Sequence, residues 1–309
     1  MRRPQHEPLS GMPDHVRIYE VGPRDGLQNE KSTVPTEAKA AFVRRLVEAG
    51  LEVVEITSFV PASWVPQLAD AADLLVLLGK DGLGRGRPVL TPNEKGLDRA
   101  LDLGVSAVSV FGSATEAFSR KNLNRSVDES FEMFRPVVRR ADAADAWVRA
   151  YVSMCFGDPW EGDVPVNQVV EVALRFLELG VDELSLGDTI GVATPGHVVR
   201  LLDALYAAGI GPERLAVHFH DTYGQALANS LEAIRWGITT VDASAGGLGG
   251  CPYAGSATGN LATEDLVWAL DGMGVHTGVD LEPLVSTSRW MADLLGRTPV
   301  SRVVQALSS

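Results

Sequence analysis

The sequence predicts an α/β fold in which eight parallel strands close into one barrel surrounded by helices. Short β-branched runs alternate with helical patterns along the whole chain, and eight such strand-helix units can be counted. Regular alternation implies a parallel sheet covered by helices. Eight units favour a closed barrel, with an open doubly wound sheet as the alternative. No glycine-rich dinucleotide fingerprint follows the first strand, where the segment Gly-Pro-Arg-Asp-Gly (22–26) stands instead.

The elements follow one another at regular intervals. The predicted strands are residues 15–21, 51–57, 87–91, 106–111, 148–154, 183–186, 215–220 and 239–243. The helical patterns are residues 36–50, 62–79, 93–103, 128–143, 167–180, 195–209, 223–237 and 257–274, many ending in glycine. Residues 280–309 are expected to form one or two further helices outside the barrel. We therefore predict a single (β/α)8 TIM-barrel domain with extra C-terminal helices over residues 15–309, after a flexible leader of residues 1–14.

Composition and charge exclude several classes of protein. The 309 residues are 45% apolar and 22% charged, which is ordinary for a globular domain. No apolar run approaches the roughly 20 residues that span a bilayer. The net charge of -13 argues against nucleic acid or an acidic membrane surface as a partner. Two cysteines, Cys155 and Cys251, give no disulfide framework, and the N-terminus lacks an apolar signal core, so the cytoplasm is the expected location.

Polar side chains gather where the predicted strands end, and in a parallel barrel these ends meet at one mouth. The residues concerned are Arg24, Asp25, Glu55, Asp188, His218, His220, Cys251 and Asn260. Glu55 has the same phase as Val53 and Thr57 in the second strand, so it faces the barrel interior. One acid at a strand end usually caps a helix or pairs with a base. Polar groups from five strand ends at one mouth favour a functional site.

His218 and His220 are the strongest pair in this set. Residues two apart in an extended strand point to the same side. Two imidazoles on one face, with an acid available nearby, favour a metal site over a pair of core histidines. Asp25 and the side-chain oxygen of Asn260 would complete the ligands. Such mixed ligands suit Mg²⁺, Mn²⁺ or Zn²⁺.

Three further polar groups and a cysteine are predicted to surround this metal. Arg24 is expected either to form an ion pair with Glu55 or Asp188 or also to stabilise a developing enolate oxygen. The two acids are predicted to hold Arg24 or a histidine in place. Cys251 either fills buried space or, in the glycine-rich loop of residues 245–255, gives or takes a proton.

A local basic cluster interrupts this acidic chain at residues 118–125, Phe-Ser-Arg-Lys-Asn-Leu-Asn-Arg. It would suit the phosphates of a nucleotide-like ligand, and a solvated turn is the alternative interpretation. Cys155, at the end of the fifth predicted strand, is interpreted as a packing residue.

Six segments resemble the hydroxymethylglutaryl-CoA lyases, and the match runs from about residue 16 to the end of the chain. They are Val21-Gly-Pro-Arg-Asp-Gly-Leu-Gln-Asn-Glu-Lys31, Ser58-Phe-Val-Pro61 with Trp64-Val-Pro-Gln67, Ser185-Leu-Gly-Asp-Thr-Ile-Gly191, Val217-His-Phe-His-Asp-Thr-Tyr-Gly224, Gly247-Leu-Gly-Gly-Cys-Pro-Tyr-Ala254 and Gly259-Asn-Leu-Ala-Thr-Glu-Asp-Leu266. The cysteine loop is the segment specific to the lyases. The Arg-Asp and His-x-His elements are shared with a wider metallolyase superfamily that includes isopropylmalate and homocitrate synthases.

The resemblance implies a metal-dependent TIM barrel, with Mg²⁺ or Mn²⁺, that cleaves 3-hydroxy-3-methylglutaryl-CoA into acetyl-CoA and acetoacetate. It also implies a homodimer that serves leucine breakdown and ketone-body formation. By the same resemblance, the metal ligands are Asp25, His218, His220 and Asn260; Arg24 contacts the substrate; Cys251 is catalytic; and Glu55 and Asp188 are acids needed at the site. Either Asp25 or His218 would be the general base.

One departure from the family pattern and three alternative functions remain. Around Cys155 the segment Phe-Gly-Asp-Pro-Trp departs from the family pattern, which puts details of the pocket near the fifth strand in doubt. The substrate is also open, because nothing in the sequence excludes a longer-branched 3-hydroxyglutaryl-CoA. A condensing acyltransferase that uses acetyl-CoA and a 2-oxo acid is a further alternative, and a non-catalytic barrel that binds metal or acyl-CoA is the last.

Overall fold

The computed structural model describes residues 3–250 and 259–307, and its strands form one parallel sheet. The strands are β1 (Arg17–Glu20), β2 (Val53–Val54), β3 (Thr57–Ser58), β4 (Val89–Leu90), β5 (Ala107–Ser113), β6 (Trp147–Ser153), β7 (Glu183–Asp188), β8 (Leu215–Phe219) and β9 (Thr240–Ala243). The helices are α1 (Thr36–Glu48), α2 (Ala71–Leu78), α3 (Glu94–Asp102), α4 (Glu116–Leu123), α5 (Val127–Ala143), α6 (Val166–Leu179), α7 (Pro195–Ala207), α8 (Ala226–Trp236), α9 (Thr263–Gly272), α10 (Leu281–Leu295) and α11 (Arg302–Leu307).

The second predicted strand is the one that closes the barrel. In the sheet, β2 pairs with β1 and β3 pairs with β4, so these two short pieces stand at opposite ends of the strand order. Only Glu55 and Ile56 separate them in the chain. The Glu55 amide donates to the Glu20 carbonyl at 2.9 Å, whereas the Ile56 amide donates to the Pro88 carbonyl at 3.0 Å. The two pieces are therefore halves of one strand, and the predicted TIM barrel is confirmed.

Alternation along the strands separates an apolar outer layer from a polar interior. On β6, Val148, Ala150 and Val152 belong to the main hydrophobic core beneath the helices, whereas Arg149 and Tyr151 lie in the opposite phase. Successive side chains of a strand point to opposite faces, so this phase is the barrel interior. The polar residues buried in that interior phase include Glu55, Ser109, Arg149, Tyr151, Glu183, Ser185, His218 and Asp242. The interior of the barrel is thus unusually rich in polar and charged groups.

Local sequence signals set several helix boundaries. At the start of α5, the Ser126 hydroxyl accepts from the Glu129 amide at 3.0 Å, and the Glu129 carboxylate accepts from the Ser126 amide at 2.7 Å. This reciprocal capping satisfies two amides that have no partner inside the helix. A glycine sets the C-terminal end of a different helix, α6. This helix stops at Gly180, whose φ of 99° lies in the left-handed region.

The described segments nearest the two termini pack on the barrel. The predicted C-terminal helices are present as α10 and α11, and Asp265 of α9 accepts from the Ser301 hydroxyl at 2.7 Å and the Val303 amide at 2.9 Å. Near the N-terminus, the Glu7 amide donates to the Gly272 carbonyl at 2.8 Å, so part of the segment expected to be a flexible leader is hydrogen-bonded to the end of α9. Within the described ranges, none of the helices is long and apolar enough to cross a membrane.

Candidate active site

Arg24 and Asp25 lie in a single π-helical turn, Gly22–Gly26, that follows β1 directly. The amides of Asp25 and Gly26 both donate to the Val21 carbonyl, at 2.8 and 3.1 Å. The turn packs tightly, because a Cβ added to Gly26 would lie 2.8 Å from the Leu248 side chain. Glycine is therefore required at this position, and the turn presents both charged side chains to the pocket at the carboxyl ends of the strands.

Asp25, His218 and His220 form a cluster whose potential ligand atoms all lie within 4.8 Å of one another. Asn260 joins it by donating its side-chain N–H to Asp25 at 2.8 Å and to the Leu248 carbonyl at 3.0 Å. Within the described parts of the chain, the Asn260 Oδ1 and His220 Nδ1 atoms are buried without a hydrogen-bond partner. Buried polar atoms left unpaired cost free energy. The donor set and the free amide oxygen therefore fit a divalent cation.

The charge states of this cluster also suit a cation. Burial raises the pKa of Asp25, but the guanidinium of Arg24 and the neighbouring imidazoles outweigh it, and the pKa falls to about 2. Burial lowers the pKa of His220 to about 4, and the nearby His218 acts in the same direction. Metal ligands must be deprotonated to bind. At neutral pH, Asp25 is therefore an anion and His220 keeps a free lone pair.

Arg24 is held rigidly between two acids and an aromatic ring. Its Nε donates to Glu55 at 2.6 Å and its Nη1 donates to Asp25 at 2.7 Å. Its guanidinium carbon lies 5.1 Å from the centre of the Tyr151 ring. The fully buried Glu55 also accepts from the Tyr151 hydroxyl at 2.9 Å and from the Ser109 hydroxyl. Burial lowers the pKa of Arg24, but the two acids raise it well above its ordinary value, so the side chain remains a fixed cation.

His218 has a partner that the sequence did not reveal. Its Nδ1 lies 3.1 Å from the carboxylate of Asp242 on β9. Asp242 accepts in turn from Arg149 of β6 and from Ser185 of β7. Arg149 and Asp242 are each the single charged residue of a short strand, so no local motif marks either as a site residue. A charge in a strand that is otherwise buried was the signal, since such a group needs an opposite charge inside the barrel.

Asp188 and Cys251 stand apart from this geometry. The Asp188 carboxylate accepts from the amides of Val192 and Ala193, at 3.0 and 2.9 Å, and burial raises its pKa to about 6. Its hydrogen bonds therefore order the loop after β7, and His218 lies near enough to act against this increase in pKa. A role of Asp188 in holding a histidine stays a prediction. Cys251, predicted as the catalytic thiol, lies outside the described residues.

A pocket of about 480 Å³ opens at the mouth of the barrel. Its lining includes Arg24, Asp25 and both histidines, together with Lys121 and the aromatic and amide side chains near α4. Lys121 comes from the predicted basic cluster, whereas Arg120 is largely exposed and pairs with Glu116 at 3.4 Å. The pocket thus has a cationic side chain, Lys121, in the same lining as residues of the candidate cation site.

A family model described as HMGL-like matches residues 15–291. The chain belongs to the HMGL-like family. The resemblance to hydroxymethylglutaryl-CoA lyases predicted from the six motifs is therefore confirmed.

Individual relatives in the HMGL-like family match almost the whole chain. Mouse mitochondrial hydroxymethylglutaryl-CoA lyase is 51% identical over 298 residues, covering 96% of this chain and 91% of the mouse protein. The crystal structure of the Bacillus subtilis HMG-CoA lyase has a TM-score of 0.92 at 44% identity, covering 98% of this chain and 100% of that one. An HMG-CoA lyase from Acinetobacter baumannii, solved with coenzyme A and 3-methylmalate, has a TM-score of 0.89 at 33% identity, covering 97% of both chains.

Proposed function

We propose that this chain cleaves 3-hydroxy-3-methylglutaryl-CoA into acetyl-CoA and acetoacetate. The observation that carries the proposal is the position of Arg24, a rigid cation that is hydrogen-bonded to Asp25 at the edge of the candidate cation cluster. A carbon–carbon lyase of this kind must polarise an alcohol and stabilise an enolate at neighbouring positions. The pocket places Arg24, which can stabilise the enolate, beside the candidate cation cluster, which can polarise the alcohol. The names of the relatives support the same reaction.

Asp25, His218, His220 and Asn260 are the residues that would hold a divalent cation. When bound, such a cation supplies Lewis acidity that lowers the pKa of the tertiary alcohol of the substrate. We propose Mg²⁺ or Mn²⁺, because a carboxylate and an amide oxygen beside two imidazoles suit a hard or borderline ion.

Cleavage follows from loss of the hydroxyl proton. The oxygen electron pair then forms the ketone of acetoacetate, and the bond between C2 and C3 breaks. Its electrons form the enolate of acetyl-CoA, and Arg24 stabilises the enolate oxygen without having to move. A proton must finally reach the carbon of this enolate. From the sequence resemblance, we propose that Cys251 donates it.

The first proton acceptor is still one of two groups. Asp25 is a poor base because its pKa is about 2 and its carboxylate already accepts from Arg24, Gln28 and Asn260. His218 is the other candidate. A His218 nitrogen that binds a cation cannot accept a proton at the same time, so His218 can serve as base only through a nitrogen that is not a ligand.

The acyl-CoA partner is supported by the part of the pocket near α4. Lys121 lines this region, and its Nζ lies 4.7 Å from the centre of the Trp160 ring. An ammonium group is a common partner of phosphate oxygens. We propose that Lys121 contacts the phosphates of the coenzyme while the acyl end reaches Arg24. The Acinetobacter baumannii relative was solved with coenzyme A, which supports an acyl-CoA partner.

A coupled assay for acetoacetate, run with Mg²⁺ under reducing conditions, tests the function directly. We expect turnover of the methylglutaryl thioester and much slower turnover of longer-branched analogues. Faster turnover of an analogue would reassign the substrate. Strong release of free thiol from acetyl-CoA and 2-oxo acids would instead identify a condensing acyltransferase.

Two variants separate the proposed roles in the same assay. His220→Ala should weaken binding of Mn²⁺, because it removes a ligand. Cys251→Ala should bind Mn²⁺ normally and turn over substrate more slowly by orders of magnitude, because only proton delivery is lost. Full activity of the cysteine variant would refute its proposed role. A homodimer, a role in leucine breakdown and ketone-body formation, and a cytoplasmic location stay predictions.

A further inference from the structure

Asp242, on β9, is an acid of the barrel interior whose carboxylate contacts His218 of the candidate cation cluster. It is 2% exposed, and its Oδ2 lies 3.1 Å from Nδ1 of His218. A neutral imidazole carries a single N–H, so the nitrogen that donates determines which nitrogen keeps the lone pair. With Nδ1 donating to a carboxylate, Nε2 of His218 is left as the free ligand atom.

The carboxylate of Asp242 is itself fixed by groups on two other strands. Arg149 donates to its two oxygens at 2.6 and 3.1 Å, and the Ser185 hydroxyl donates to Oδ2 at 3.0 Å. The guanidinium of Arg149 contacts both oxygens, and an opposite charge at this distance favours the ionised carboxylate. The acceptor that faces His218 is therefore a charged and immobile carboxylate.

Arg149 keeps a second acid partner besides Asp242. Its Nε lies 2.9 Å from Glu183, and Glu183 also pairs with the half-exposed Arg17. Arg17, Glu183, Arg149 and Asp242 thus form a line of alternating charge that ends at His218. Because Glu183 remains beside Arg149, neutralising Asp242 does not leave the buried guanidinium without an anion. The role of Asp242 toward His218 can therefore be separated from its role in charge balance.

We propose that Asp242 is a positioning residue that accepts Nδ1–H of His218 and thereby directs Nε2 of this imidazole toward Asp25 and His220. The inference rests on the proposed function only in taking His218 as a cation ligand. Acceptors of this kind raise ligand basicity and fix ring orientation, and their loss typically costs 10- to 100-fold in metal affinity, as a rough range.

The decisive measurement is the tautomer of His218, which needs neither metal nor substrate. The chain has six histidines. Labelling them with ¹⁵N and assigning His218 by comparison with a His218→Gln variant identifies its two ring nitrogens by NMR. At mildly alkaline pH, we expect the wild-type, metal-free protein to hold His218 as the Nδ1–H tautomer. Asp242→Asn should shift the ring toward a mixture with the Nε2–H form, because the amide is a weaker, uncharged acceptor.

Binding of Mn²⁺, followed by electron paramagnetic resonance, is the second readout. Asp242→Asn should bind the ion about 10- to 100-fold more weakly than the wild type. Ser185→Ala is the matched control, because it removes a hydrogen bond to the same oxygen of Asp242 but keeps the charge and the contact with His218. This control should retain both the tautomer and the affinity.

Three outcomes would overturn the proposal: an Nε2–H tautomer in the wild type, wild-type affinity in Asp242→Asn, or an equal loss in Ser185→Ala. If Asp242→Asn does not fold, the wild-type tautomer alone still decides. Failure of the cleavage assay would leave the tautomer result intact, and a wrong tautomer would leave cleavage intact. The two proposals therefore fail separately.

Discussion

The buried acids of this barrel fall into two groups that differ in what lies beside them. In the ion-paired group, Glu55, Glu183 and Asp242 each contact an arginine inside the barrel. The second group, called the stem group, consists of Glu20 at the end of β1 and Glu264 in the first turn of α9. Both acids contact the segment that follows β9. Among the described residues, the hydrogen bonds to these two acids come from uncharged donors only, namely the amides of Gly22, Ala245 and Gly246 and the hydroxyls of Thr263 and Ser288.

This difference changes the charge of equally buried carboxyl groups. Burial raises the pKa of Glu20 to about 7 and that of Glu264 to about 8, and the uncharged donors offset only part of this increase. The pKa of Asp242 is lowered although it is just as deeply buried, because Arg149 lies beside it. A neighbouring guanidinium thus accounts for the opposite shifts of Asp242 and of the two stem acids. Hydrogen bonds from amides do not suffice.

The largest effect is expected from removing the cation of the ion-paired group. Arg149→Met leaves Asp242 and Glu183 buried without their guanidinium, which typically costs about 3–5 kcal/mol of unfolding free energy. Urea denaturation measures the loss. Arg17→Met is the control, because it removes another partner of Glu183 but its side chain is 39% exposed; the expected loss is below about 1 kcal/mol. Equal losses in the two variants would show that burial of the pair is unimportant.

The stem group should make stability fall as pH rises. The pKa of Glu264 is about 8 in the folded chain and 4.5 as its ordinary value. Between these values the folded state keeps a proton that the unfolded state has lost. Its stabilising contribution is therefore complete below pH 4.5 and is lost as pH rises toward 8, by up to about 1.4 kcal/mol per pH unit.

Glu264→Gln isolates this contribution, because the amide stays neutral at every pH. Urea unfolding of this variant across the same range should show a flatter dependence on pH than the wild type. The exposed Glu282→Gln on α10 is the control and should keep the wild-type slope. An unchanged slope in Glu264→Gln would mean that the folded chain does not hold Glu264 as the neutral acid.

The smallest effects come from the serines that donate to the two groups. Hydrogen bonds to charged groups contribute about 1.5–3 kcal/mol and those between neutral groups about 0.5–1.5 kcal/mol. Ser185→Ala, which removes a donor to the charged Asp242, should therefore cost more than Ser288→Ala, which removes a donor to the neutral Glu264. Denaturation at mildly acidic pH compares the two. The reverse order would contradict the assignment of charge.

Much of this molecule follows from local patterns in its sequence. Alternation predicted the barrel, and the interior phase of Glu55 followed from the two-residue repeat of a strand. The prediction that polar side chains meet at one mouth also agrees with the pocket that Arg24, Asp25, His218 and His220 line. These successes depend on spacing within one segment or on the general rule that parallel strands end together.

What escaped the sequence depends on contacts between distant strands. Arg149 and Asp242 are 93 residues apart, and nothing local to either indicates that they pair. The sequence predicts that Arg24 pairs with Glu55 or Asp188, and in the structure it pairs with Glu55. Asp188 has other partners. The backbone after β7 instead turns back so that the amides of Val192 and Ala193 reach its carboxylate. Which of several nearby donors an acid binds is set by tertiary geometry.

The barrel closes only when β9 pairs with β1, so a chain that is still being synthesised cannot close it until β9 is made. Strand β1 pairs with β2 on one edge and with β9 on the other. Strand β2 follows soon after β1 in the chain, whereas Arg17 of β1 lies opposite Thr240 of β9, 223 residues later. During synthesis, one edge of β1 therefore waits for nearly the whole chain, and every shorter nascent chain presents open sheet edges of the kind that associate with other chains. A chain that stops before β9 should depend on chaperones far more than the finished protein does.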